Sequence, residues 1–489
     1  SVSAQTANDY WLAADKALAA GDTDSTFYYL DMFRKRFGRQ YAYAYTTFLT
    51  EEDYRPLHND ARWTAFMDSM RIYKHEDEDK REIAYPKKAV VKDTNAPTVK
   101  RYDIMLYIDV EKKKLAVTTT ALIDFKGRES IDFTLWKNST INHIRCKKKE
   151  LAYSFDTKDE STNTYIRQGA PLHLTAPKNK GICSIAFDYT CNLDSIDTWM
   201  SSMEKDWVQL GYYIAWFPVN NDSRDFTANV SISINKDYTV SGSGIVERKG
   251  DKWKMSQTWG SFDLQIVASP SLKSKKMTNN GRTFEVVYTD FADADADSAL
   301  VACSKALQFY TRLFKTNPNN DYMKFLVVPR RGGGISRKNF IAYATRRFNE
   351  HFKTAIGHEM GHFWWNKAPT FSWEDWLNEG FAEFSMLWYI KCHFDKYVFN
   401  CYLEACREDS RHACPIYEVD RDAPEAYALY NKGALLLYDL EQKVGEQHFF
   451  EFMQGVAERE INSTALLLDY AEEKFGKEIR EWIEDRIKS

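Results

Sequence analysis

His358 and His362 stand four residues apart in Gly357-His358-Glu359-Met360-Gly361-His362, and no other feature restricts the fold of this chain as tightly. On a helix, that separation puts both imidazoles on one face, one turn apart. Two such nitrogens can hold one zinc ion and leave room for a third protein ligand and a water. Glu359 lies between them in sequence. It can face that water without being a ligand, the placement a general base needs. After a short connection, Trp376-Leu377-Asn378-Glu379-Gly380-Phe381 reads as a second apolar helical segment that carries a carboxylate. With two ligands on one helix, the third has to arrive from such a neighbour, which makes Glu379 the candidate.

The bulk of the chain is compatible with a large enzyme. Its 489 residues suffice for about two to four domains, and 44% hydrophobic with 15% aromatic residues supports sizeable buried cores. A net charge of −4 argues against nucleic acid as a main partner. No run of about eighteen apolar residues is present, so no transmembrane segment is expected. Eight cysteines in a chain this long do not make a disulfide scaffold; free thiols are the expected state, with a bridge among Cys146, Cys183 and Cys191 or among Cys392, Cys401, Cys406 and Cys414 as the alternative. Val2-Ser3-Ala4 before Gln5 has the small-residue character of a signal-peptidase site. That predicts an exported protein, periplasmic, cell-surface or extracellular, with a cytoplasmic one as the alternative.

Periodicity divides the chain. Residues 1–73 read as helices: Trp11, Ala14 and Leu18 share a face, Gly21 stops the run, and Asp24 or Ser25 can cap the next helix. The paired helices hint at a tetratricopeptide-like unit that docks on the rest of the chain or on a protein partner not identifiable from sequence. Residues 74–98, with the run His75-Glu76-Asp77-Glu78-Asp79-Lys80-Arg81 and then Pro86 and Pro97, read as a charged linker. From residue 99 the period becomes two: Ile104, Leu106, Ile108 and Val110 alternate, then Thr118 to Phe125, then Val230, Ile232 and Ile234. This predicts an antiparallel β domain over 99–270. The catalytic domain is expected over 271–489, with a helix at Ser298–Phe314 and a buried strand at Phe325–Pro329.

His358-Glu359-Met360-Gly361-His362 with Asn378-Glu379-Gly380-Phe381-Ala382 resembles the M1 family of zinc aminopeptidases, within the gluzincins. The resemblance covers residues 99 to 489. It implies a multidomain α+β chain: an N-terminal helical segment, a saddle-like antiparallel β domain and a thermolysin-like zinc catalytic domain. It implies one Zn2+ ion on His358, His362 and Glu379, with Glu359 as general base and a peptide as substrate. The family usually has eighteen residues between the second histidine and the glutamate, whereas sixteen intervene here. The shortening falls on the connection around Asn366 to Ser372. It leaves Glu374, Asp375 and Glu383 as alternative ligands. Glu383, one turn after Glu379, is better suited to hydrogen-bond a ligating histidine. Trp216-Phe217-Pro218 also resembles a Phe-Pro turn of the family's β domain.

Two further stretches carry the resemblance. Gly332-Gly333-Gly334-Ile335-Ser336 matches by position the Gly-Ala-Met-Glu-Asn exopeptidase motif. Glycines on an edge strand let a substrate backbone approach and pair as an added strand. Ser336 falls where the family has the glutamate that grips the substrate's free amine, and serine has no charge to offer an ammonium. The flanking Arg330, Arg331, Arg337, Lys338, Arg346 and Arg347 could hold a carboxylate, or simply form a solvated face. Tyr430-Asn431-Lys432-Gly433-Ala434 matches the family's Tyr-x-Lys-Gly-Ala, which gives Tyr430 the role of oxyanion donor. The sequence ends at Ser489, so the family's large C-terminal helical domain is expected to be absent.

The resulting expectation is zinc-dependent peptide hydrolysis that removes N-terminal residues. The alternatives are a zinc endopeptidase or other peptidase not anchored on the substrate amine, and a non-catalytic peptide-binding module.

Overall fold

A computed structural model describes residues 6–489, apart from 82–92, 94, 159–164, 167, 199, 319–320, 330–332, 346, 371, 420 and 422–427. The signal-peptidase-like start, Pro86, Arg330, Arg331, Gly332 and Arg346 therefore lie outside the described residues. The chain divides into two compact units: Ser1–Val90 with Ala306–Pro318 and Asn349–Ser489, and Val91–Lys305 with Asn319–Phe348.

The first unit is helical. Helices α1 (Ala7–Ala19), α2 (Thr23–Phe37), α3 (Ala44–Thr50) and α4 (Ala61–Glu78) close on an aromatic core of Phe33, Phe48, Tyr54 and Trp63, where Trp11 stacks on Phe48 at 4.5 Å. The N-cap of α2 is Asp22, whose side chain accepts from the Ser25 amide at 3.0 Å, rather than Asp24 or Ser25. Asp24 instead sits in the first turn, where its charge complements the helix dipole. The charged run after Lys74 is helical as far as Glu78 because it is paired: the buried Lys74 ammonium donates to the Glu408 carbonyl at 2.6 Å, and His75 meets the Glu408 carboxylate at 2.7 Å. The N-terminal helices thus pack on the later ones within this unit.

The second unit holds the strands; helix α5 (Asp293–Phe314) is divided between the units, with its residues from Ala306 onward in the first. Among the described residues its largest sheet has eight strands. Strand Thr98–Asp109 pairs antiparallel with Lys114–Asp124, and its alternation puts Ile104, Leu106 and Ile108 in the core. One departure from a purely antiparallel sheet is the pairing of Thr98–Asp109 with Phe226–Ser233, which is parallel. Strand Phe226–Ser233 returns after a long excursion and not through a hairpin, so it is free to enter in that direction.

A five-stranded sheet runs in the order Lys273–Asn279, Arg282–Tyr288, Tyr322–Val328, Phe340–Ala344, Gly334–Arg337. Tyr322–Val328 is buried and parallel to both neighbours, while the glycine-led strand Gly334–Arg337 forms an edge. Arg337 is neither solvated nor free to hold a substrate carboxylate. Its side chain is buried, donates to Asp263 Oδ2 at 2.9 Å and to the Ser336 carbonyl at 2.8 Å, and lies 4.3 Å from the Phe262 ring centroid. Lys338 and Arg347 are exposed. No helix among the described residues is long and apolar enough to cross a membrane.

Candidate metal centre

Helix α6 (Glu350–Gly361) starts at Asn349, whose side chain accepts from the Phe352 amide at 2.9 Å. Phe352, Ile356 and Met360 recur every four residues and are buried. His358 and His362 occupy a neighbouring stripe; His362 is the C-cap and keeps helical backbone angles, so the one-turn spacing is preserved. Helix α7 (Trp376–His393) is apolar nearly all round, with Leu377, Phe381, Phe384, Leu387 and Ile390 buried, as expected of an interior helix. The two helices approach closely. A Cβ on Gly361 would stand 3.1 Å from the Ala382 Cα. The Tyr310 hydroxyl lies 2.9 Å from the carbonyls of both Gly357 and Ser385 and so ties α6 to α7.

The shortened connection between these helices is held by Asn378. Its amide donates to the Ala368 carbonyl and its oxygen accepts from the Ala368 amide, each at 3.1 Å. This pair of hydrogen bonds fixes the connection one residue before Glu379.

One ligand atom from each of His358, His362 and Glu379 lies within 4.8 Å of the others. Glu379 Oε2 is 3.5 Å from His358 Nε2 and 3.2 Å from His362 Nε2. On the far side of each ring, Nδ1 meets an acceptor: Glu383 Oε2 at 2.7 Å for His358 and the Trp365 carbonyl at 3.2 Å for His362. An Nδ1–H committed to an acceptor leaves the Nε2 lone pair for a metal, the pairing typical of ligating histidines. Two imidazoles and a carboxylate, with Nε2 atoms converging, suit zinc in a site with an open position.

The electrostatics agree. Burial alone would push His358 down, but the carboxylates of Glu379 and Glu383 override it and hold the imidazole well above its usual range. His362 is also raised, against burial, chiefly by Glu379. Glu379 is held well below the usual carboxylate range by the two histidines, although burial works the other way. Glu359 is buried, and its charge acts on both histidines.

Tyr430 lies on a π-helical turn, Ala428–Lys432, that leads into α9 (Gly433–Val444). Its ring lies nearly parallel to the His358 ring, with centroids 6.2 Å apart at an interplanar angle of 14°. The chain follows α7 with α8 (Lys396–Ser410) and, after α9, with α10 (Glu446–Glu458), α11 (Thr464–Phe475) and α12 (Lys477–Lys488).

The alternative ligands are committed elsewhere. The Glu374 carboxylate accepts from the amide and hydroxyl of Thr464, both at 2.6 Å. Asp375 is bound by Asn378 at 2.8 Å and by Arg421 at 2.7 Å, and Glu383 faces His358 Nδ1. Of the glycine stretch, Gly333, Gly334 and Ser336 belong to the other unit, and the Ser336 hydroxyl is buried with no hydrogen-bond partner among the described residues. Arg421 was not legible in sequence. It sits in no recognisable motif, yet its guanidinium reaches Asp375, the Tyr430 hydroxyl at 3.0 Å and Glu379 at 3.6 Å.

Residues 303–484 match the model of the peptidase family M1 domain. Over 260 residues the chain is 25% identical to tricorn protease-interacting factor F2 of Thermoplasma acidophilum, covering 47% of this chain and 32% of that one. It is 27% identical over 176 residues to human endoplasmic reticulum aminopeptidase 2, covering 31% of this chain and 18% of that protein. The chain thus spans about a third or less of the length of these relatives. In fold it is similar to an M1 zinc metallopeptidase from Deinococcus radiodurans, with a TM-score of 0.63, 14% identity, and coverage of 81% of this chain and 94% of that one. It is also similar to native leukotriene A4 hydrolase from Saccharomyces cerevisiae, with a TM-score of 0.62, 16% identity, and coverage of 80% and 66%.

Proposed function

We propose, for a chain whose residues 303–484 belong to peptidase family M1, that it is a zinc-dependent peptidase removing N-terminal residues from peptides. The observation that carries this reading is the convergence of His358 Nε2, His362 Nε2 and Glu379 within 4.8 Å, with each Nδ1 already bonded. Zinc held there would act as a Lewis acid on the scissile carbonyl and make water easier to deprotonate. Glu359 would take the proton from the attacking water on its carboxylate and hand it to the leaving amine nitrogen. Its burial keeps competing solvent away from that carboxylate. Tyr430 Oη would donate to the oxygen on which negative charge develops, which stabilises the transition state more than the bound peptide.

The aminopeptidase relatives support an N-terminal cleavage preference. Ser336 supports a second reading, a peptidase that does not require a free amine, because a neutral hydroxyl gives an ammonium no ion pair. Hydrolysis of a peptide library with free and acetylated N-termini, with and without a chelator, decides between them. Cleavage of free termini alone, abolished by the chelator, is the expected result. Equal cleavage of acetylated peptides would favour the second reading, and turnover untouched by the chelator would remove zinc from both.

A further inference from the structure

We infer that Arg421 is the positioning residue for Tyr430, acting on the reaction through the phenol and not through the metal ligands; this rests on the peptidase reading above. The guanidinium is nearly buried and spans two groups: Nε donates to Asp375 Oδ2 at 2.7 Å, and one terminal nitrogen donates to Tyr430 Oη at 3.0 Å. Asp375 is itself fixed, since its other oxygen accepts from Asn378 at 2.8 Å. The phenol is therefore tied through a rigid fork to the start of α7, the helix that carries Glu379.

The direction of the Arg421–Tyr430 bond gives it its use. A guanidinium has donors only, so Oη must accept from it, and the phenol's own proton cannot be spent there. Tyr430 sits on a π turn, where the register of the helix leading into α9 changes and the direction of a side chain changes with it. Arg421 holds the hydroxyl, with its charge balanced by Asp375; it lies 3.6 Å from Glu379 Oε1, while the other oxygen, Oε2, is the one that faces the histidine Nε2 atoms. A lysine at this position would carry the charge but could not span both partners with a planar fork.

The test is a double-mutant cycle of Arg421→Met and Tyr430→Phe in the zinc-loaded full chain, read by peptide kinetics, by zinc affinity in chelator competition and by calorimetric affinity for a phosphinic peptide. Arg421→Met should lower kcat about 10- to 100-fold, the range for groups that orient catalytic side chains, with KM nearly unchanged. Zinc affinity should stay at the wild-type value. In the Tyr430→Phe background the further loss should vanish, both in kcat and in phosphinic-peptide affinity. Asp375→Asn, which keeps the shape but loosens the anchor, should reproduce the pattern more weakly, and Arg421→Lys should recover only part of the activity. Additive losses in the cycle, or a fall in zinc affinity with Arg421→Met, would overturn the inference by showing that Arg421 acts on the metal ligands. Wild-type kinetics in Arg421→Met would overturn it too. A wild-type chain that cleaves no peptide would instead sink the peptidase reading, while the phosphinic-peptide cycle would still report whether the two side chains are coupled.

Discussion

The Nδ1 atom of His358 lies 2.7 Å from Oε2 of Glu383, one turn beyond Glu379 on the same helix. Helix α7 therefore supplies both a candidate ligand and the acceptor that orients another ligand's ring. Glu383→Ala should reduce zinc affinity about 10- to 100-fold, because His358 loses the acceptor that fixes its tautomer. Glu383→Gln keeps an acceptor oxygen and should lose less. Chelator competition measures both, and equal zinc affinity in all three proteins would show that the ring needs no such partner.

Glu359→Gln isolates the base from the metal. The amide is the same shape, is equally buried and cannot take a proton. Zinc content should therefore stay at the wild-type level, while kcat falls by about two to four orders of magnitude, the usual contribution of a general base. Metal analysis beside steady-state kinetics is the check, and undiminished turnover would remove Glu359 from the proposed mechanism.

What could be read ahead of the structure follows physical range. The His358–His362 spacing, the interior character of α7 and the alternation at Ile104–Ile108 are local patterns with one sensible geometry, and each appears as read. Glu383, read as one turn past Glu379 and suited to bond a histidine of the pair, lies 2.7 Å from His358 Nδ1. Contacts set by distant packing were not visible. Arg421 reaches Asp375 across 46 residues, and Arg337 turns inward to Asp263 across 74. Nothing near either arginine distinguishes a buried fork from a solvated charge. The parallel entry of Phe226–Ser233 was hidden for the same reason, since period two is the same in either direction.

Lys324 gives the β-containing unit a pH signature. Its ammonium is buried and bonded to the carbonyls of Gly242 at 2.9 Å and Gly244 at 2.8 Å, and burial pulls its pKa down to about 8. In the unfolded chain it keeps the ordinary value of 10.5. Between those values the unfolded state binds more protons, so this group makes stability rise with pH, by about 3 kcal/mol across the window. Below pH 8 both states are charged and the full cost of burying the ammonium remains. Urea titrations of wild type and Lys324→Met from pH 7 to 10.5 should diverge in slope, with the rise confined to the wild type. Parallel curves would mean that the ammonium stays protonated in the fold throughout.

Gly380 and Gly433 meet where α7 crosses the start of α9, one residue after Glu379 and three after Tyr430. A Cβ on Gly380 would stand 2.9 Å from the Leu429 carbonyl oxygen and 3.0 Å from the Gly433 Cα, both backbone atoms that cannot swing aside. One on Gly433 would meet the Gly380 Cα at 3.1 Å and the Trp376 ring at 3.5 Å. Alanine in a helix interior gains about 1 kcal/mol over glycine in propensity. Overpacking of about 1–3 kcal/mol opposes that gain. For Gly380→Ala, with two backbone clashes, overpacking should win: a lower thermal midpoint, and a kcat loss larger than any change in KM as Glu379 and Tyr430 are pushed apart. For Gly433→Ala, the two terms should nearly cancel and stability should change little. Thermal melts with kinetics on both variants test this, and a Gly380→Ala protein more stable than wild type would show that the crossing has slack.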